Sequence, residues 1–402
     1  MQTVIVIGGG AAGLMAALTA AEKADRRVIL LERQQRVGRK LLATGNGRCN
    51  LTNTGAALSR YHGEDPEFLL PALNAFPPAE TLAFFHSLGL LTVEEYGGRV
   101  YPLSNSANSV LDVLRMALDR AGVELHAPCP VREIHRRGRG FRLVTEEGEM
   151  GCDKLILACG GCAGAKLGGV MDGYTLAKAL GHRRTGLYPA LVQLVTEPDY
   201  PRALKGVRVQ CALRLKRRDF CLAESRGELQ FTETGVSGPA VFDLSRAAST
   251  GGAGLTLHIA LLPLTPEELT ALLRRRQTQA PQAPASELFT GMLHNRLGRM
   301  AVKYAGLSQN APLADLSREE LERAAAACLD FALPVRGTEG FDQAQVTAGG
   351  LQTSDFDPRT LESRLVPGLF VCGELLDIDG DCGGFNLQWA WSSGRLAGRL
   401  GE

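Results

Sequence analysis

The first thirty-two residues constrain the fold more than any other stretch. Val4, Ile5, Val6 and Ile7 make an apolar, β-branched run too short for a helix, which reads as a buried parallel strand. Gly8, Gly9, Gly10, Ala11, Ala12 and Gly13 follow at once, and residues 14–24 carry an Ala/Leu-rich helical pattern. Arg27, Val28, Ile29, Leu30 and Leu31 then give a second strand ending at Glu32. This is a βαβ unit with G-x-G-x-x-G at Gly8, Gly10 and Gly13. Each glycine has a mechanical reason: a tight turn at Gly8, close approach of backbone to a pyrophosphate at Gly10, helix-to-strand packing at Gly13. The helix start presents unpaired N–H groups to phosphates, and Glu32 can accept hydrogen bonds from a ribose diol. The frame predicts dinucleotide binding.

At 402 residues the chain is too long for one simple core, so two or three domains are expected. Lys+Arg 44 against Asp+Glu 43 leaves a net charge of +1, so no global field steers it toward nucleic acid. Residues 4–21 carry no charge, but Gly8, Gly9 and Gly10 break that run and no basic segment precedes it. It is therefore read as neither a secretion signal nor a membrane span. Ten cysteines in such a chain point to a reducing cytoplasm rather than a disulfide scaffold.

Beyond Glu32, Arg33, Gly38, Arg39, Lys40 and Leu41 lead into residues 44–53, whose Gly45, Asn46, Gly47, Arg48, Cys49, Asn50 and Asn53 predict a site loop. Residues 66–90 and 109–122 read as helices, and 97–103 as a turn and strand. Residues 131–135 (from Val131), 141–145 and 154–158 read as strands, with Arg136 to Gly140 a solvated hairpin turn. The strand ending at Ala158 runs into Cys159, Gly160, Gly161 and Cys162, another close approach of backbone to a ligand. Residues 189–264 read as β-rich and contain a hydroxyl- and glycine-rich loop at 231–240. Residues 265–335 read as a small helical subdomain, opened by capping boxes at Thr265/Glu268 and Ser317/Glu320, with a helix over 286–305. In residues 336–402, a strand ends at Gly373 and Glu374, a glycine loop holds Gly383, Gly384 and Asn386, and a closing helix covers 387–400. That segment would return the chain to residues 1–188, its helix start facing an anionic flavin locus.

Taken together, Gly8 to Gly13, Gly38-Arg39-Lys40, the 45–53 loop, Gly98 to Pro102, Thr234 to Pro239 and Gly373 through Ala390 resemble a bacterial family of flavoproteins. These are the BaiN-like, aminoacetone-oxidase-like NAD(P)/FAD-dependent oxidoreductases, and the resemblance spans essentially the whole chain. It implies an α/β fold: a Rossmann-like FAD domain of the two-dinucleotide-binding type, split between both termini, with an inserted β-rich domain and a small helical subdomain. It also implies FAD contacts from Gly8, Gly10, Ala11, Ala12, Gly13, Glu32, Arg33, Arg39, Lys40, Leu41, Gly47, Val131, Ala158, Gly160, Gly373, Glu374, Gly384, Asn386 and Leu387. Cys159 departs from the family's usual threonine, and the resulting Cys159/Cys162 spacing on a glycine turn is not read as a redox pair. Position 54 is threonine, so Cys49 lacks the five-residue cysteine partner of disulfide reductases. With no second strand–GxGxxG–helix unit, NAD(P)H is expected only as a transient reductant.

The resemblance extends to ribosomal-RNA dihydrouridine-synthase-like members. The leading expectation is therefore reduction of a uridine C5=C6 bond in ribosomal RNA, by hydride from the flavin and a proton from the protein. Cys49 is the candidate acid, with Arg48 and Asn50 beside it; the competing reading is that Cys49 only packs under the flavin. Arg48 and Arg99 could hold a phosphate or carbonyl oxygen, and Arg214, Lys216, Arg217 and Arg218 an RNA backbone. The alternative is a small-molecule flavoenzyme, an enone reductase or amine oxidase. A third reading is a non-catalytic FAD-containing RNA-binding protein.

Overall fold

A computed structural model describes residues 1–402, which divide into two compact units: Met1–Tyr188 with Ala344–Glu402, and Pro189–Gln343. The first is built on a five-stranded parallel sheet. From one edge to the other its strands are Leu369–Val371, Lys154–Leu157, Gln2–Ile7, Arg26–Leu31 and Glu124–His126. Both faces are covered, which is why Val4, Ile5 and Val6 are fully buried and the strands read as unbroken apolar runs. The helix Ala11–Ala20 lies on one face and begins three residues earlier than the apolar pattern suggests, because Gly10 is its N-cap. The closing helix Phe385–Gly398 packs against it. Gly394 and Gly398 make that approach possible: a Cβ on Gly398 would stand 2.6 Å from the Ala16 carbonyl oxygen, and one on Gly394 would collide with the Ala12 carbonyl.

Two expected helices are interrupted. Residues 66–90 form a 3-10 turn and the helices Leu70–Ala75 and Pro78–Ser87, parted at Pro77 and Pro78, which cannot continue a helix. In 286–305 only Asn295–Tyr304 is α-helical, since Gly291 takes a left-handed φ of 84° and the His294 side chain caps the new start.

The second unit is a closed six-stranded barrel. It runs Leu194–Thr196, Gly235–Ser237, Phe220–Phe231, Arg208–Arg217, Leu255–Ala260 and Phe331–Thr338. Both capping boxes form, at the starts of Pro266–Gln279 and Arg318–Leu329. Residues 265–335 are nonetheless not a separate helical subdomain. Leu269, Leu273, Leu297 and Leu321 share one core with Leu257, Ile259 and Phe331, and Phe331–Thr338 closes the barrel. The unit accordingly ends at Gln343 rather than at 335. The 231–240 loop has a packing explanation as well. A side chain on Gly235 would strike the Leu194 carbonyl, and a Cβ on Gly238 would lie 2.6 Å from the Glu228 carbonyl oxygen.

Candidate active site

The three motif glycines do different work. Gly8 adopts φ 108°, and a Cβ there would strike the Ala158 carbonyl; one on Gly13 would strike the Gly8 carbonyl. A Cβ on Gly10 meets nothing within 4 Å. Packing therefore consumes Gly8 and Gly13, whereas Gly10 keeps clear space in front of the helix N-terminus, beside Ala11 and Ala12. Gly160, just past Ala158, likewise faces open space.

Glu32 sits at the end of its strand, fixed by Gly9 N–H to Oε2 at 2.8 Å and Gln34 N–H to Oε1 at 2.7 Å. Its carbonyl accepts from Cys129 N–H at 2.7 Å, which brings the buried Val131 segment to the same end. Arg33 donates to the Gly168 carbonyl at 3.3 Å, and Arg39 to Gln34 and, at 2.9 Å, to the Lys166 carbonyl. These two arginines fold the 165–168 turn against the 33–39 segment, while Leu41 is buried in the core.

Farther along, Lys40 Nζ lies 2.7 Å from Glu374 Oε2, joining residues 334 positions apart, with side chains 31% and 20% exposed. Glu374 Oε1 also accepts from Thr347 N–H at 2.8 Å, and Gly161 is required there, since its Cβ would stand 2.7 Å from that oxygen. The Gly373 carbonyl accepts from Trp389 Nε1 at 3.1 Å, tying the strand end to the closing helix.

That helix starts on Gly384 (φ 99°), and its first backbone bond is Gln388 N–H to the Gly384 carbonyl at 3.0 Å. The N–H groups of Phe385, Asn386 and Leu387 therefore have no partner within the helix. The Asn386 side chain is engaged elsewhere: Oδ1 accepts from Gly380 N–H at 2.8 Å and Nδ2 donates to its carbonyl at 2.7 Å. It pins the loop that leads into the helix. Asn53 Nδ2 holds the same loop through the Gly383 carbonyl at 2.8 Å. Asn50 Oδ1 is buried without a hydrogen-bond partner, 2.9 Å from where a Gly384 Cβ would stand. A Cβ on Gly47 would meet only the Leu42 carbonyl oxygen, at 4.0 Å.

The expected catalytic trio separates. Cys49 is 0% exposed, and burial pushes its thiol from an ordinary 9.0 up to about 12. The Arg48 guanidinium bonds Glu95 and Asn105 and lies 4.0 Å over the Tyr101 ring, so its charge is already paired. Arg99 is in no ion pair, and its Nε lies 3.5 Å from where a Gly383 Cβ would stand. All ten cysteines are free. Cys159 contacts the Ile7 carbonyl at 3.6 Å, whereas Cys162 accepts from Thr347 Oγ1 at 3.8 Å, so the two thiols are engaged apart. Thr347 carries no motif in the sequence; Asn53 lay in the loop singled out, without a role.

An acid at the second strand's end, clear space at Gly10, a free helix start and an orphaned buried acceptor fit a dinucleotide carrying a flavin. The fold and site define a FAD-dependent oxidoreductase of the two-dinucleotide type. The chain belongs to the HI0933-like protein Rossmann domain family, whose profile matches residues 2–400. It is 40% identical to the 3-dehydro-bile acid Δ(4,6)-reductase of Clostridium scindens, covering 99% of this chain and 98% of the relative. It is 31% identical to the ribosomal RNA dihydrouridine synthase of Escherichia coli, over 97% of this chain and 95% of that one. The Haemophilus influenzae protein of that name is 28% identical, over 97% and 96%. The 3-ketosteroid Δ1-dehydrogenase structure from Sterolibacterium denitrificans shares the fold across 99% of both chains, at TM-score 0.53 and 14% identity. No helix is long and apolar enough to cross a membrane.

Proposed function

We propose that this protein reduces a conjugated carbon–carbon double bond in a small, apolar enone of steroid type, with NAD(P)H as the transient reductant of its FAD. The observation that carries the reading is the 40% identity, along almost the whole of both chains, to a reductase named for a bile-acid substrate. This displaces ribosomal RNA as the leading substrate, because the dihydrouridine synthases stand further off, at 31% and 28%.

Of the four charges expected to hold RNA, Arg214 is already engaged: it lies 3.7 Å from Asp330 and faces Glu224 across the barrel strands, which weakens its attraction for phosphate.

Reduced FAD held at the site would supply the hydride, and solvent the proton that completes the saturated bond. Arg99, the unpaired guanidinium beside the Gly383 loop, donates to the substrate carbonyl oxygen and draws electrons out of the conjugated bond. Arg48, held by Glu95 and stacked on Tyr101, gives that wall its shape rather than a free charge. Cys49 packs beneath the site and is not the proton source. The test is anaerobic incubation with NADPH and either a steroid 4-en-3-one or a ribosomal RNA fragment, followed by mass analysis. Gain of two hydrogens by the steroid supports the reading; gain at a uridine with an untouched steroid overturns it.

A further inference from the structure

We propose that Asn50 is the residue that recognises the pyrimidine edge of the flavin ring, its Oδ1 accepting the N3–H. The proposal rests on the FAD site alone and holds whatever the substrate.

Oxidised isoalloxazine carries one ring N–H, at N3, between the C2 and C4 carbonyls, so this edge reads acceptor–donor–acceptor. The start of Phe385–Gly398 offers only donors, the N–H groups of Phe385, Asn386 and Leu387, and these suit a ring carbonyl. A helix N-terminus has no acceptor to offer the neighbouring N–H. Asn50 Oδ1 supplies one at that place, and within the protein it has no donor of its own. A buried acceptor left unpaired is costly, so the position calls for a ligand donor.

The surroundings fix that buried oxygen in place without giving it a donor. Asn50 is fixed between Cys49, in the left-handed region at φ 61°, and Leu51, whose N–H bonds the Val100 carbonyl at 2.7 Å and whose carbonyl accepts Trp391 Nε1 at 2.9 Å. A side chain at 384 would strike the Thr52 carbonyl oxygen at 2.5 Å and stand 2.9 Å from Oδ1, so glycine there clears that backbone, leaves Oδ1 without a neighbouring side chain and allows the φ of 99°. Glu374 and Lys40 satisfy each other farther along the site, which leaves Asn50 as the orphaned acceptor at the ring end.

The experiment reconstitutes the full chain, stripped of flavin, with FAD or with FAD methylated at N3, and measures both dissociation constants. Wild type should prefer FAD by about tenfold or more, the worth of one desolvated hydrogen bond. Asn50→Ala should bind FAD about tenfold more weakly and lose the preference. Asn50→Asp, which still presents an acceptor, should keep it, separating recognition from a merely structural role. Equal binding of the two flavins by wild type would overturn the proposal, as would an undiminished preference in Asn50→Ala. If Asn50→Ala does not fold, the wild-type comparison and Asn50→Asp decide it on the same terms.

Discussion

Cys49 shows how far one residue's chemistry depends on its surroundings. In water a thiol with a pKa near 8.5 is a usable acid at neutral pH. Burial at 0% exposure removes the solvent that would stabilise its thiolate, and the pKa climbs to about 12. A group so reluctant to lose its proton, and packed away from solvent, is a poor donor to a substrate carbon. Cys49→Ser should therefore lower stability by about 1–3 kcal/mol, the usual cost of placing a more polar group where solvent cannot reach it. Turnover per bound flavin should stay within about twofold of wild type. Single-turnover oxidation of the reduced flavin at equal FAD occupancy checks this, and a hundredfold loss would return Cys49 to the chemistry. The residue types at this site were legible because glycine, asparagine and arginine in one short loop have few other uses. Their division of labour was not, since Arg48 and Arg99 look alike until Glu95 and Asn105 are seen to hold the first.

Among elements, the pairing of the first and last helices decides whether the flavin site exists. Ala11–Ala20 presents Ala12 and Ala16, and Phe385–Gly398 answers with Gly394 and Gly398, so the two backbones come within side-chain-free distance. Gly394→Val would push a branched side chain into the Ala12 carbonyl. Overpacking of this kind costs about 1–3 kcal/mol, and here the displaced helix carries the N–H groups aimed at the flavin. The variant should lose that much stability in chemical denaturation and bind FAD at least about tenfold more weakly. Unchanged FAD affinity would mean the closing helix is not part of the site. Elements governed by local chemistry were readable: both capping boxes and the βαβ unit follow from side chains within a few residues. Readings that relied on apolar periodicity alone ran through Pro77, Pro78 and Gly291, where backbone constraints outweigh it.

For the whole molecule, the account rests on a FAD site assembled from both chain ends around Gly10. Lys40 with Glu374, and Asn53 with the Gly383 carbonyl, join segments more than three hundred positions apart (|i−j| of 334 and 330), a closure that sequence patterns only imply. The merging of the helical stretch with the barrel was out of reach for the same reason. A shared core is a property of packing, and the helical period of 265–335 says nothing of what its apolar face covers. The direct measurement is FAD released per chain from purified wild type and Gly10→Glu, with thermal unfolding to show that both are folded. A Cβ at position 10 meets no protein atom within 4 Å, so the variant should fold while its carboxylate fills the pyrophosphate's place. The account predicts one FAD per wild-type chain and none in folded Gly10→Glu; stoichiometric FAD in the folded variant would contradict it.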